Sequence, residues 1–148
     1  MPTRPTLHVR IPPDPRYAQT VRGALAAFAS LHDVEEVDQA ALVSAVGEAL
    51  ANAIEHGTPQ ADIEVTVEID PHLVSARIVD NGCGFRETPI GFAPLPEGYT
   101  ERGRGIAIMQ RSVDLCAVES LPGLGTTVTL GRFRRDPSLT DQERTTAS

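Results

Sequence analysis

Ile63-Glu-Val-Thr-Val-Glu-Ile69-Asp70-Pro71-His72-Leu73-Val-Ser-Ala-Arg-Ile-Val-Asp80-Asn81-Gly82-Cys83-Gly84-Phe85 is the stretch on which the fold turns. Ile63, Val65, Val67 and Ile69 alternate with polar residues, as a strand with one buried face requires. Asp70-Pro71-His72 reads as a tight turn, and Val74, Ala76 and Ile78 resume the period of two. The stretch therefore predicts an antiparallel hairpin that ends on an aspartate, with glycines close behind it.

Outward from the hairpin, Leu7, Val9 and Ile11 alternate before Pro12-Pro13, the pattern of a short edge strand closed by a breaker. Val21, Leu25, Phe28 and Leu31 recur at helical spacing over residues 16–31, with Pro15 suited to the first turn and Asp14 to the cap. A second helix is predicted to begin between residues 33 and 38 and to run to His56, with Leu42, Val46, Ala49, Leu50, Ala53 and Ile54 as its apolar stripe and Gly57 as its stop. On the other side, residues 81–105 lose all periodicity and fill with glycine, proline and charge, a long connection of the kind that often forms a lid. A third helix is expected from Arg104 or Gly105 onward. Two more strands follow, over residues 115–121 and 126–133, around Pro122-Gly123-Leu124-Gly125. The expected division is one domain over residues 1–134 and a frayed polar tail over 135–148.

Composition removes several functions. A chain of 148 residues with 41% hydrophobic content can bury one core. The net charge of -7 argues against a nonspecific grip on nucleic acid, so no direct nucleic-acid partner is expected. All 13 basic residues are arginine, which excludes both the Walker-A lysine and the strand lysine of eukaryotic-type kinases. Cys83 and Cys116 are too far apart for a CxxC pair, and His8, His32, His56 and His72 stand singly without metal-ligand spacing. No apolar run approaches a membrane span and residues 1–5 carry no signal-peptide core, so the expectation is a cytoplasmic protein with no membrane partner.

The residues that could carry chemistry lie in four places. Glu48 and Asn52 are one helical turn apart, with Ser44 preceding them on a stripe expected to lie opposite the apolar face. Alone, such a pair is an ordinary solvated helix side. A carboxylate and an amide oxygen so placed can also take a proton from a nucleophile and hold a hydrated magnesium ion. Asp80 at a strand end accepts hydrogen bonds and donates none, which favours the exocyclic amine of adenine over guanine, while Gly82 and Gly84 let backbone approach a flat ligand. An Asp-Asn-Gly turn closing a hairpin is the plain alternative, but no strand resumes after it. Gly103-Arg104-Gly105-Ile106 stands at a helix start, where free N–H groups and a guanidinium make an anion site, although a lone Gly-x-Gly is equally a flexible loop. Gly123, Gly125 and Thr126 form either a plain hairpin turn or one whose Thr126 hydroxyl helps hold a base or its water. Gly47, mid-helix, hints at close packing or ligand approach.

Taken in order, Glu48-Ala-Leu-Ala-Asn52-Ala-Ile-Glu-His56, Asp80-Asn-Gly82-Cys-Gly84-Phe, Gly103-Arg104-Gly105-Ile106 and Gly123-Leu-Gly125-Thr126 resemble the Bergerat-fold ATPase superfamily. The short length, Arg10-Ile11-Pro12, Val21-Arg22 and the wording around Glu48 look most like its anti-sigma-factor serine/threonine kinases. The resemblance implies an α/β two-layer sandwich, with helices on one face of a mixed, mostly antiparallel sheet and ATP beneath a lid. It implies Glu48 as general base, Asn52 as magnesium ligand, Asp80 as adenine acceptor, and Gly103, Arg104 and Gly105 as phosphate loop. It implies as partners an anti-anti-sigma protein of the STAS fold, phosphorylated on serine or threonine, and a sigma factor sequestered by a homodimer. A nucleotide-gated sequestering protein without phosphotransfer is the alternative. Glu48 weighs against the histidine-kinase branch, which usually has asparagine there.

Overall fold

A computed structural model of the chain describes residues 4–56, 61–80, 111–121 and 125–135, with the side chains of His56 and Leu121 excepted. In chain order the elements are β1 (Thr6–Ile11), α1 (Arg16–Leu31), α2 (Glu36–His56), β2 (Ile63–Ile69), β3 (Leu73–Asp80), β4 (Leu115–Leu121) and β5 (Gly125–Phe133). The strands form one sheet in the order β1-β2-β3-β5-β4, and each described pairing is antiparallel. The two helices lie on one face of it, which is the expected two-layer sandwich. Among the described residues no helix is long and apolar enough to cross a membrane.

Local chemistry sets the element ends. Asp14 Oδ1 accepts the Arg16 N–H at 3.0 Å, and Pro15, already helical at φ -53, donates nothing where no donor is needed. At the far end of α1, Val34 N–H reaches Ala29 O at 3.0 Å and Asp33 N–H reaches Ser30 O at 3.2 Å. This is a Schellman ending, with Asp33 at φ 60 in the left-handed position that glycine usually fills. The β2–β3 turn is held by Asp70 Oδ1, which accepts the N–H groups of His72 and Leu73, each at 2.7 Å. These two bonds hold the Asp70 carboxyl below the usual carboxylate range, and Arg4 adds to them.

Alternation sorts the sheet into two faces. Ile63, Val65, Val67 and Ile69 of β2, Val74, Ala76 and Ile78 of β3, Val128 and Leu130 of β5, and Cys116 and Val118 of β4 are buried on the helix side. Against them pack Val21, Leu25 and Ala29 of α1 and Leu42, Ala45, Val46, Ala49, Leu50 and Ala53 of α2. Helix α2 lies over the central strands β3 and β5. The outward side is polar: His8 Nδ1 bonds Thr66 Oγ1 at 2.9 Å, and Arg10 donates to Glu64 at 2.8 Å.

Residues 136–148 of the expected tail lie outside the described residues. Arg135, at its head, donates its backbone N–H to Asp38 Oδ2 at 2.8 Å. Of the span over which a third helix is expected only Arg111 and Ser112 are described, and both are helical; the remainder of that span and of residues 81–105 lies outside the described residues.

Candidate functional site

The helix-facing side of the sheet carries Arg132 at one end, is apolar through the rows of Leu130 and Val128, and turns polar again at its last row. There Asp80 of β3 stands opposite Thr126 of β5, and Thr126 stands opposite Ser120 of β4. Residues directly opposite in a sheet share a face, so one carboxylate and two hydroxyls continue the apolar rows toward one end. All three are buried, at 7%, 9% and 4% exposure respectively. Ser120 Oγ lies 3.0 Å from Thr126 Oγ1. Gly125, at φ 103, adopts a backbone conformation that a side chain would strain, and it delivers Thr126 into the first inward position of β5.

The helix supplies the other half. Near its N-terminus, Asp38 Oδ1 accepts from Arg132 Nε at 2.9 Å, which fixes that end of α2 beside the end of β5. From Asp38 to Asn52 the helix climbs about 21 Å, and from Arg132 back to Thr126 the strand covers about 20 Å. A helix running along the strand would thus bring the turn carrying Glu48 and Asn52 to the level of the Asp80 row. Ser44 is exposed while Glu48 and Asn52 are half-buried. The stripe expected opposite the apolar face thus turns inward along the helix, because a step of four residues overshoots a 3.6-residue turn by about 40°.

Gly47, one residue before Glu48, lies against the side chain of Arg22. A Cβ there would sit 3.2 Å from Arg22 Nη1 and 3.3 Å from Arg22 Cδ, so the Arg22 side chain lies across the helix at this point. Arg22 brings a guanidinium from α1 to the neighbourhood of the Glu48 turn. Cys116 is buried below the polar row, and burial pushes its thiol up, so it stays protonated and inert.

Of the site residues expected from sequence, Glu48, Asn52, Asp80 and Thr126 are described: Asp80 and Thr126 stand opposite each other on the sheet, and Glu48 and Asn52 are half-buried on α2. Gly82, Gly84, Gly103, Arg104, Gly105 and Ile106 lie outside the described residues. Ser120 was not anticipated, although a signal was present. Cys116, Val118 and Ser120 keep the alternation of β4, so the serine occupies an inward position where an apolar residue is the rule.

The donor set fits an adenine nucleotide: an acceptor-only carboxylate beside hydroxyls at the edge of an apolar floor suits a flat purine whose edge alone is polar. A helical layer over an antiparallel sheet with this row defines an ATPase class. Residues 11–132 match the family described as histidine kinase-like ATPase domain, and the chain belongs to it. Within that family it is similar to the anti-sigma F factor of Bacillus licheniformis, 31% identical over 116 residues, which cover 74% of this chain and 79% of that one. The anti-sigma F factor of Clostridium botulinum strain Eklund 17B is 35% identical over 118 residues, covering 72% and 79%. The crystal structure of the RsbU and RsbW domains of Rv1364c from Mycobacterium tuberculosis superposes with a TM-score of 0.66 at 24% identity. The match takes in 94% of this chain and 35% of that longer one, and at this identity it speaks to the fold.

Proposed function

We propose that this chain is an ATP-dependent anti-sigma regulator which phosphorylates a serine or threonine of a STAS-fold anti-anti-sigma protein and sequesters a sigma factor, acting as a cytoplasmic homodimer. The observation that carries the reading is the buried row Asp80, Thr126 and Ser120 at the end of a sheet whose strands β3 and β5 are covered by α2, the helix that carries Glu48 and Asn52. Family membership supports the nucleotide, and the names of the relatives support the regulatory role.

Each residue has one task in this reading. Asp80 accepts a hydrogen bond from the exocyclic amine of adenine, and the Thr126 hydroxyl holds the neighbouring ring nitrogen directly or through a water. The apolar residues beneath them exclude water from the base. ATP, when bound, supplies the phosphoryl group, and the Asn52 amide oxygen would be a ligand of its magnesium ion. Glu48, half-buried, would take the proton from the hydroxyl of the incoming serine or threonine, so that the hydroxyl oxygen bonds the γ-phosphorus as the bond to the β–γ bridging oxygen breaks and ADP leaves. Gly103, Arg104 and Gly105 would hold the phosphates through backbone N–H groups and a guanidinium.

The test is phosphotransfer from labelled ATP to STAS-domain proteins encoded beside this chain, with Glu48→Gln as control. The reading requires label on the partner with the native chain and a loss of at least about a hundredfold in the variant. A Glu48→Gln protein that releases and recaptures its sigma factor normally would instead favour gating by nucleotide alone.

A further inference from the structure

We infer that Ser120 is a positioning residue for nucleobase selection: by donating its hydroxyl proton to Thr126, it fixes the Thr126 hydroxyl as a donor toward the purine edge. The inference rests on the ATP-site reading above and adds to it one residue and one direction of hydrogen bonding. Asp80, Thr126 and Ser120 form a single cross-strand row on the helix-covered face. The Ser120 and Thr126 oxygens are 3.0 Å apart and buried.

A hydroxyl has one proton and two lone pairs. In a pair of hydroxyls one donates, and the one that accepts keeps its own proton for a third group. If Thr126 donated to Ser120, Thr126 would turn a lone pair to the base, beside an Asp80 carboxylate that offers only lone pairs. Adenine presents a donor at its amine and an acceptor at N1, so that arrangement would read half of the edge and leave N1 facing an acceptor. With Ser120 as donor, Thr126 answers N1 while Asp80 answers the amine. Hypoxanthine and guanine reverse both groups, with an acceptor at O6 and a proton on N1, and would leave two buried groups unmatched. The inward position of Ser120 on β4 thus has a chemical reason, where Cys116 and Val118 on the same face have a packing one.

Calorimetric titration of the full chain with ATP and with 1-deaza-ATP, in which a C–H replaces N1, tests this. Ser120→Ala should weaken ATP about five- to tenfold and leave 1-deaza-ATP unchanged. Ser120→Thr, which restores the hydroxyl, should recover the ATP affinity. Ser120→Cys, a poor donor of similar size, should repeat the selective loss and serves if the alanine variant does not fold. Equal weakening of both nucleotides, or of neither, overturns the role given to Ser120 while the ATP site stands. A native chain that binds no ATP overturns the ATP site itself, and the inference with it.

Discussion

Asp38 and Arg132, 94 residues apart, form a buried ion pair in which Nε lies 2.9 Å from Oδ1 and the Asp38 side chain is 0% exposed. The other Asp38 oxygen takes the Arg135 N–H at 2.8 Å, and Arg132 Nη1 reaches Ser112 O at 3.2 Å. One carboxylate thereby ties the start of α2 to the end of β5 and to the residues preceding β4. This contact fixes the start of α2 against the sheet, and in the proposed reading it thereby governs where Glu48 and Asn52 stand relative to the Asp80 row.

Asp38→Ala removes the partner of a guanidinium that is 16% exposed and leaves a backbone donor unmatched. The expected loss is about 3 kcal/mol, at the low end for a broken buried pair because Arg132 can turn partly to water. Urea unfolding measures it. ATP affinity should fall as well, since the register of α2 loosens; an unchanged midpoint would contradict the anchoring role.

Gly47→Ala should stabilise the chain. Among the described residues the new Cβ would touch only Arg22, an exposed and flexible side chain that can swing aside. Against that small adjustment stands a helix-propensity gain of up to about 1 kcal/mol. Thermal melting should rise by about 2–4 °C. A lower melting temperature would mean that the Arg22 contact itself holds the two helices together.

Asp70 gives the acid side of the stability profile. The N–H groups of His72 first, then Leu73, keep its carboxyl below the ordinary range in the folded chain, while the unfolded chain titrates at the ordinary value. Its contribution is complete above the ordinary carboxylate value and is lost as pH falls through the lower, folded one. Asp70→Asn keeps an oxygen acceptor for the turn but cannot ionise. Urea midpoints should therefore show native and variant converging below about pH 4. A difference that stays constant with pH would assign the Asp70 effect to geometry alone.

Local patterns in the sequence carried much of this architecture, and distance in the chain hid the rest. The alternation of Ile63 to Ile69 and of Val74 to Ile78 reports the buried face directly, so the hairpin and its turn were legible residue by residue. Asp14, Pro15 and the apolar spacing marked α1 for the same reason. Asp38 looks in sequence like any acidic residue in a first helical turn. Its burial depends on an arginine from the last strand, which no local window contains. Ser120 was hidden differently: the alternation of Cys116 and Val118 marks its side as inward, but only the pairing of β4 with β5 sets its hydroxyl beside Thr126. The Glu48–Asn52 spacing was visible, but the Asp38 anchor that holds their helix to β5 was not.

The central claim is that Asp80 reads adenine at the end of the sheet, and calorimetric titration of native chain and Asp80→Asn with ATP tests it most directly. The account predicts a saturable heat of ATP binding in the native chain and a loss of roughly ten- to a hundredfold in the variant, as for a hydrogen bond to a charged group. A native chain that gives no heat with ATP, or a variant that binds it as tightly as the native chain, would contradict it.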